Sequence, residues 1–211
     1  MTFTETEQKI LAAATEVFLQ KGKDGSRMQE IARKAGINQA MLHYYFRSKD
    51  RLYETVLAHL IRNFMQHILL SIPKTDDIRQ LLNSFISHYI DQISRNIELL
   101  RFILWEIERG GELFVREIRR IFSEHGFQGP PFIDVIQQAI RKGQIRAVDP
   151  LQFVLSVIGM CVYPFIARPI VETMFSIPDI TDETFLRRRK QEIFELIWHG
   201  IQINGTPNET D

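Results

Sequence analysis

The chain has 211 residues, and 45% of them are hydrophobic, enough for a sizeable core in one or two domains. Its formal net charge is +0, and Cys161 is its single cysteine, which excludes an intrachain disulfide and a zinc site built on cysteine pairs. The opening MTFTETEQKI is polar and acidic, unlike a secretory signal, so a cytoplasmic location is expected.

Strand signals are nearly absent and helical periodicity is nearly everywhere, which predicts an all-α fold. Thr4 and Glu7 have capping-box spacing for a first helix. Ile10, Ala14, Val17 and Phe18 form its inner face, and Gly22 should end it.

The stretch SRMQEIARKAGINQAMLHYYFRSKD, from Ser26 to Asp50, reads as two short helices around a glycine turn. Ser26 and Gln29 again have capping-box spacing, so a helix is expected to start at Arg27. Gly36 suits a helix-ending position with positive φ, and Ile37 plugs the corner. Asn38 is a good N-cap for the second helix. There Leu42, Tyr45 and Phe46 are spaced to face inward, which leaves Gln39, Ala40, His43 and Tyr44 facing out. Ser48 should cap the next helix, with Lys49 in its first turn. With the first helix these elements make a three-helix headpiece.

A helix held in this way can enter the major groove of DNA. Gln39 can pair with adenine, and Ala40 and Met41 can touch a thymine methyl. His43, Tyr44 and Lys49 can reach phosphate oxygens. Arg27, Met28 and Asn38 complete the candidate DNA-contact set. Between Gln20 and Leu52 there are eight basic and three acidic residues, a local balance of +5 inside a neutral chain. Such a focused basic region is an electrostatic footprint for nucleic acid.

Glu30-Ile31-Ala32, Ala35-Gly36-Ile37 and Leu42-His43-Tyr44-Tyr45-Phe46 followed by Ser48-Lys49 resemble the TetR-family signature. That signature joins an I-A pair, an A-G-V/I turn, an L-Y-x-Y/H-F run and a nearby Lys. Asn38 stands where Ser or Thr is usual, and His43 where Tyr is usual. The resemblance covers roughly the first fifty residues. It implies a homodimer on a palindromic operator in double-stranded DNA, and a small molecule bound inside the helical body.

Beyond Lys49 a long helix carries Leu52, Val56, Leu57, Leu60, Ile61, Phe64, Met65 and Ile68, and Pro73 stops it. A helix spanning headpiece and body in this way could transmit movement between them. A regular stripe follows from Ile78 to Ile93. The next helix runs from Ile97 to Arg109, with Leu100, Ile103, Leu104 and Ile107 as its stripe, and Gly110-Gly111 breaks it. Further helices are expected at Glu112 to Glu124, from Pro131 to Gly143, from Pro150 onward, and from Asp182 to Ile203. The uncharged segment from Pro150 to Ala167 is at the lower edge of membrane-span length. Its prolines, Gln152 and close charged neighbours favour a buried helix instead. This segment and the last helix are apolar on more than one face, which points to a homodimer through these two long helices.

For a ligand, the polar and aromatic candidates are Phe64, His67, Phe85, His88, Tyr89, Phe102, Trp105, Glu106, Cys161 and Phe165, with Arg168 nearby. Cys161 also reads as an inert buried thiol. The run Arg187-Arg188-Arg189-Lys190 reads as a solvated helix start. The histidines are scattered, no metal or cofactor motif occurs, and no catalytic pattern is seen. The expected architecture is a helix-turn-helix DNA-binding domain over 1–50, a larger helical ligand-binding and dimerisation body over 51–205, and a flexible tail over 206–211. The expected function is sequence-specific DNA-binding regulation, as a repressor released by an unknown small molecule. The alternative is a helical carrier or enzyme with a vestigial headpiece.

Overall fold

The first helix, α1 (Glu5–Gly25), begins at the capping box that the spacing indicates. Thr4 Oγ1 accepts the Glu7 N–H at 3.3 Å, and the Glu7 carboxylate accepts the Thr4 N–H at 2.8 Å. Gly22 breaks α1 with φ +67° and ψ 177°, a conformation open to glycine and strained for other residues. Contrary to the expectation that Gly22 ends it, the helix runs on past this kink through a short turn to Gly25.

This computed structural model describes residues 3–70, 73 and 75–203, and among them there are helices and no strand. The fold class is therefore all-α, as the periodicity indicates. After α1 come α2 (Met28–Lys34), α3 (Gln39–Phe46), α4 (Lys49–Leu70), α5 (Ile78–Arg95) and α6 (Ile97–Glu108). Then follow α7 (Glu112–Glu124), α8 (Pro131–Arg141), α9 (Pro150–Ile166), α10 (Arg168–Met174) and α11 (Glu183–Ile201). The expected tail at 206–211 lies outside the described residues.

The helices group into two units. One comprises Met1–Met65 with Ile97–Ile121, the other Gln66–Asn96 with Phe122–Asp211. In the first, α1 packs on α2 and on α6, and α2 packs on α3. Ile10, Ala14, Val17 and Phe18 meet Ile31, Leu42, Leu52, Val56 and Leu57 in a buried core. Tyr53 is part of it at 1% exposure. Its ring stacks on Phe102 at 4.9 Å and meets Phe18 edge-on at 5.2 Å.

Phe102 belongs to a face of α6 that differs from the expected stripe. Leu99, Phe102 and Glu106 are buried, whereas Ile107 is exposed. Apolar residues surround α6 on most sides, so periodicity alone does not fix its rotation. The aromatic partners on α1 and α4, and a polar partner for Glu106, decide it.

In the second unit α11 packs on α5 and α9, and α5 packs on α9. The α5 stripe is buried as expected, from Ile78 through Ile93, with Tyr89 partly exposed. Asp149 caps α9 by accepting the Gln152 N–H at 2.9 Å, and Pro150 occupies its first turn. Pro164 is accommodated within α9, and Pro169 opens α10 after a 75° bend. No single described helix is long and apolar enough to cross a membrane; the bent α9–α10 pair passes by length and composition only.

The basic run on α11 is not uniformly solvated. Arg187 and Arg188 are exposed, but Lys190 pairs with Asp91 of α5 at 2.6 Å, and Arg189 donates to the Met160 carbonyl of α9 at 2.8 Å. These residues sit where α11 crosses the other two helices, so their side chains turn inward.

Candidate nucleic-acid interface

Between α2 and α3 the chain turns through Gly36 at φ +70°. The Ala35 N–H donates to the Ile31 carbonyl at 2.9 Å, and the Ile37 N–H to the Ala32 carbonyl at 3.0 Å, which satisfies the end of α2. Asn38 caps α3, its Oδ1 accepting the Met41 N–H at 2.8 Å. Leu42 and Phe46 are buried beneath α3. Gln39, Ala40, Met41, His43 and Tyr44 are exposed on it. Tyr44 reaches 81% exposure and rests edge-on against Tyr45 at 5.4 Å. His43 Nδ1 lies 3.1 Å from the Arg47 carbonyl, and its Nε2 lies 3.4 Å from Gln39 Nε2. This places the outward set on one rigid, solvent-facing surface.

Ser26 does not cap α2. It is buried, and its hydroxyl donates back to the carbonyls of Val17 and Gly22, so it closes the end of α1. The α2 N-cap position falls to exposed Arg27, which makes no side-chain cap. Met28 is half-buried in the first turn. Ser48 does cap α4, its hydroxyl accepting the Arg51 N–H at 3.2 Å. Lys49 is half-buried, and its ammonium donates to the carbonyls of Ser26 at 3.2 Å and Asp24 at 3.4 Å. It therefore ties the start of α4 to the end of α1.

Several lysines of the basic region are paired: Lys21 with Glu30, Lys23 with Asp50, and Lys34 with Glu16. Among the described residues Arg27, Arg33, Arg47 and Arg51 form no ion pair, and Lys49 meets only carbonyls, so these four arginines and Lys49 carry the unneutralised charge. Arg47 stands out. It follows α3 with φ 53° and ψ −46°, and the Ser48 N–H donates to the Phe46 carbonyl at 2.5 Å across it. That is a γ-turn of the rare, strained kind, and it leaves the Arg47 side chain exposed at the end of α3. Its charge is visible in the sequence; its backbone geometry is not.

The ligand candidates divide between the two units. Phe64, Phe102, Trp105 and Glu106 belong to the first unit. Phe102 is core, and Trp105 lies beside Gly22, about where a Cβ there would touch it. Glu106 is 3% exposed; it accepts from the Tyr53 hydroxyl at 3.5 Å and from the Leu113 N–H of α7 at 3.3 Å. Arg109 on the same corner pairs with Asp24 at 2.8 Å. Glu106 thus joins α4, α6 and α7. Burial, and then the Glu106 carboxylate, push the Tyr53 phenol up to about 12. A raised folded-state pKa stabilises fully below the unfolded value near 10 and ceases to do so as pH rises through about 12. Alkaline unfolding should therefore steepen across this window, and Tyr53→Phe should flatten it in a pH series of urea melts.

His67, Phe85, His88, Tyr89, Cys161 and Phe165 belong to the second unit. His67 and His88 are exposed, and Arg168 pairs with Glu172 at 2.8 Å. Phe85 stacks on Tyr89 at 5.3 Å and meets Phe132 at 4.0 Å, and Cys161 and Phe165 are buried on α9. Burial raises the Cys161 thiol to about 12, so it stays protonated at neutral pH. Among the described residues no group of His, Cys, Asp and Glu is placed to hold a metal ion.

An all-helical chain that carries a capped, outward-facing helix after a glycine turn has the architecture of the helix-turn-helix proteins. Residues 10–56 match the bacterial regulatory proteins of the tetR family, and residues 79–197 match the tetracyclin repressor-like C-terminal domain. The chain belongs to the TetR family. It is 32% identical to the transcriptional activator FasR of Mycolicibacterium smegmatis over 47% of this chain and 45% of that protein. It is 28% identical to the transcriptional repressor NicS of Pseudomonas putida over 68% of this chain and 65% of that protein. The match thus spans less than two thirds of the length of either relative. The structure of AibR in complex with isovaleryl coenzyme A and operator DNA superposes with a TM-score of 0.68 at 19% identity, over 91% of this chain and 97% of AibR.

Proposed function

We propose that this chain is a homodimeric repressor that binds a palindromic operator through α3 and leaves it when a small organic molecule enters the helical body. The observation that carries the reading is the exposed Gln39–Tyr44 face on a helix locked by the Asn38 cap and by burial of Leu42 and Phe46. NicS is named a repressor and AibR was solved with an acyl-coenzyme A and operator DNA, which supports both halves of the proposal. On this reading residues 1–50 read DNA, and residues 51–205 hold the ligand and the dimer contact. The work is binding, not catalysis, and is done in the cytoplasm.

Gln39, Ala40 and Met41 contact bases, with Asn38 setting the start of their helix. Tyr44, His43, Arg27 and Met28 contact backbone, and Arg47 joins the phosphate contacts. Lys49 acts through the α1–α4 tie it makes. Ligand binding shifts α4 and so changes the spacing of the two headpieces. Operator and ligand then weaken each other by the same factor.

The test is a mobility shift with DNA from upstream of its own gene. Gln39→Ala should relax discrimination at one base pair by about 1–3 kcal/mol. Tyr44→Ala should weaken binding to all sequences alike. Parent-like binding by both variants would remove α3 as the reading helix.

A further inference from the structure

Where α11 crosses α5 and α9, the second unit holds a half-buried guanidinium, that of Arg189, which feels the Glu192 charge but forms no ion pair. Arg189 donates through Nη2 to the Met160 carbonyl at 2.8 Å. Its Nε is buried and has no acceptor. Buried donors in folded proteins are nearly always satisfied, so this one is an exception to be explained. The neighbouring Lys190 receives a carboxylate, Asp91, at 2.6 Å. No carboxylate is within ion-pair distance of Arg189 among the described residues.

The surroundings are rich in donors and apolar surface. Cys161 lies near both Arg189 and Tyr89, close enough for their charged forms to influence one another. Burial raises thiol and phenol alike, so both keep their protons. The Arg189 Nε–H therefore remains a donor without an acceptor, beside a protonated thiol. The Tyr89 ring stacks on Phe85, which in turn meets Phe132. Donors beside aromatic surface suit a molecule with an acceptor-rich, negative end and an apolar remainder.

We propose that Arg189 is the anion-recognising residue of the interior ligand site, and that the ligand is a small organic acid whose carboxylate meets Arg189 while its apolar part packs on Phe85, Tyr89 and Phe132. This deepens the ligand-released reading above and rests on it. Arg189 was hidden in a basic run at the start of α11, where its neighbours Arg187 and Arg188 are solvated.

The test titrates the full chain with octanoate and benzoate, and with octan-1-ol and benzyl alcohol as neutral counterparts, by calorimetry and thermal shift. At least one carboxylate should bind about 10–100-fold more tightly than its alcohol, as charge-assisted hydrogen bonds allow. Arg189→Gln should erase that preference, while Arg189→Lys should retain part of it. Near-UV circular dichroism should show Arg189→Gln folded like the parent. Equal binding of acid and alcohol, or an acid preference that survives Arg189→Gln, overturns the proposal. Operator affinity is measured alongside. Acid binding through Arg189 with unchanged operator affinity upholds this site and overturns ligand release.

Discussion

Replacing Leu155 by glutamate is expected to convert the proposed dimer to a monomer and to remove most of its operator affinity. Leu151, Leu155, Tyr163 and Ile166 line one side of α9, and all are exposed. Gly159, with nothing near where its Cβ would stand, lies on the same side, and α11 adds exposed Leu196. A contiguous apolar helix face of this kind is unusual on a monomer. A second copy related by two-fold symmetry would cover it with the same face. A carboxylate at 155 would then be buried without a partner, at a cost of several kcal/mol. Losing the dimer also loses the second headpiece, and linked binding sites commonly gain about 10²–10⁴ in affinity from one another. Sedimentation velocity reads the mass and a mobility shift reads the affinity. Because Leu155 is outside the core, the variant should fold normally; a dimer that persists would place the interface elsewhere.

Glu106→Ala is expected to destabilise the first unit by roughly 2–6 kcal/mol, since the buried Tyr53 hydroxyl and the part-buried Leu113 N–H lose their acceptor at about 1–3 kcal/mol each. Glu106→Gln keeps an acceptor and should cost much less. In a double-mutant cycle, Tyr53→Phe should recover part of the loss, because it removes one of the orphaned donors. Urea unfolding with hydrogen exchange in α4, α6 and α7 measures both. A Glu106→Ala protein as stable as the parent would show that Glu106 does not join these helices, and would return it to the ligand candidates.

Glu106 also shows where sequence reading stops. Beside Trp105, on a helix apolar on most sides, it reads as a polar ligand contact. The structure turns it inward because Tyr53, 53 residues earlier, supplies a hydroxyl, and because the α6–α7 corner supplies an N–H. Neither partner is visible within one turn of Glu106. Ser26 follows the same logic. Its spacing to Gln29 suggests a cap for α2, yet carbonyls at Val17 and Gly22 claim it once α1 kinks. Arg189 looked like one arginine among three until α9 was packed beside it.

What the sequence alone determined is the local chemistry. The caps at Thr4, Asn38, Ser48 and Asp149, the positive φ at Gly36, and the outward set on α3 all depend on partners within about four residues, so they are legible in linear order. The tertiary structure decided the rotation of α6, the roles of Ser26, Lys49 and Glu106, and the inward turn of Arg189. Those depend on donors and acceptors brought together from distant parts of the chain, and a buried polar group takes its role from whichever partner the packing delivers.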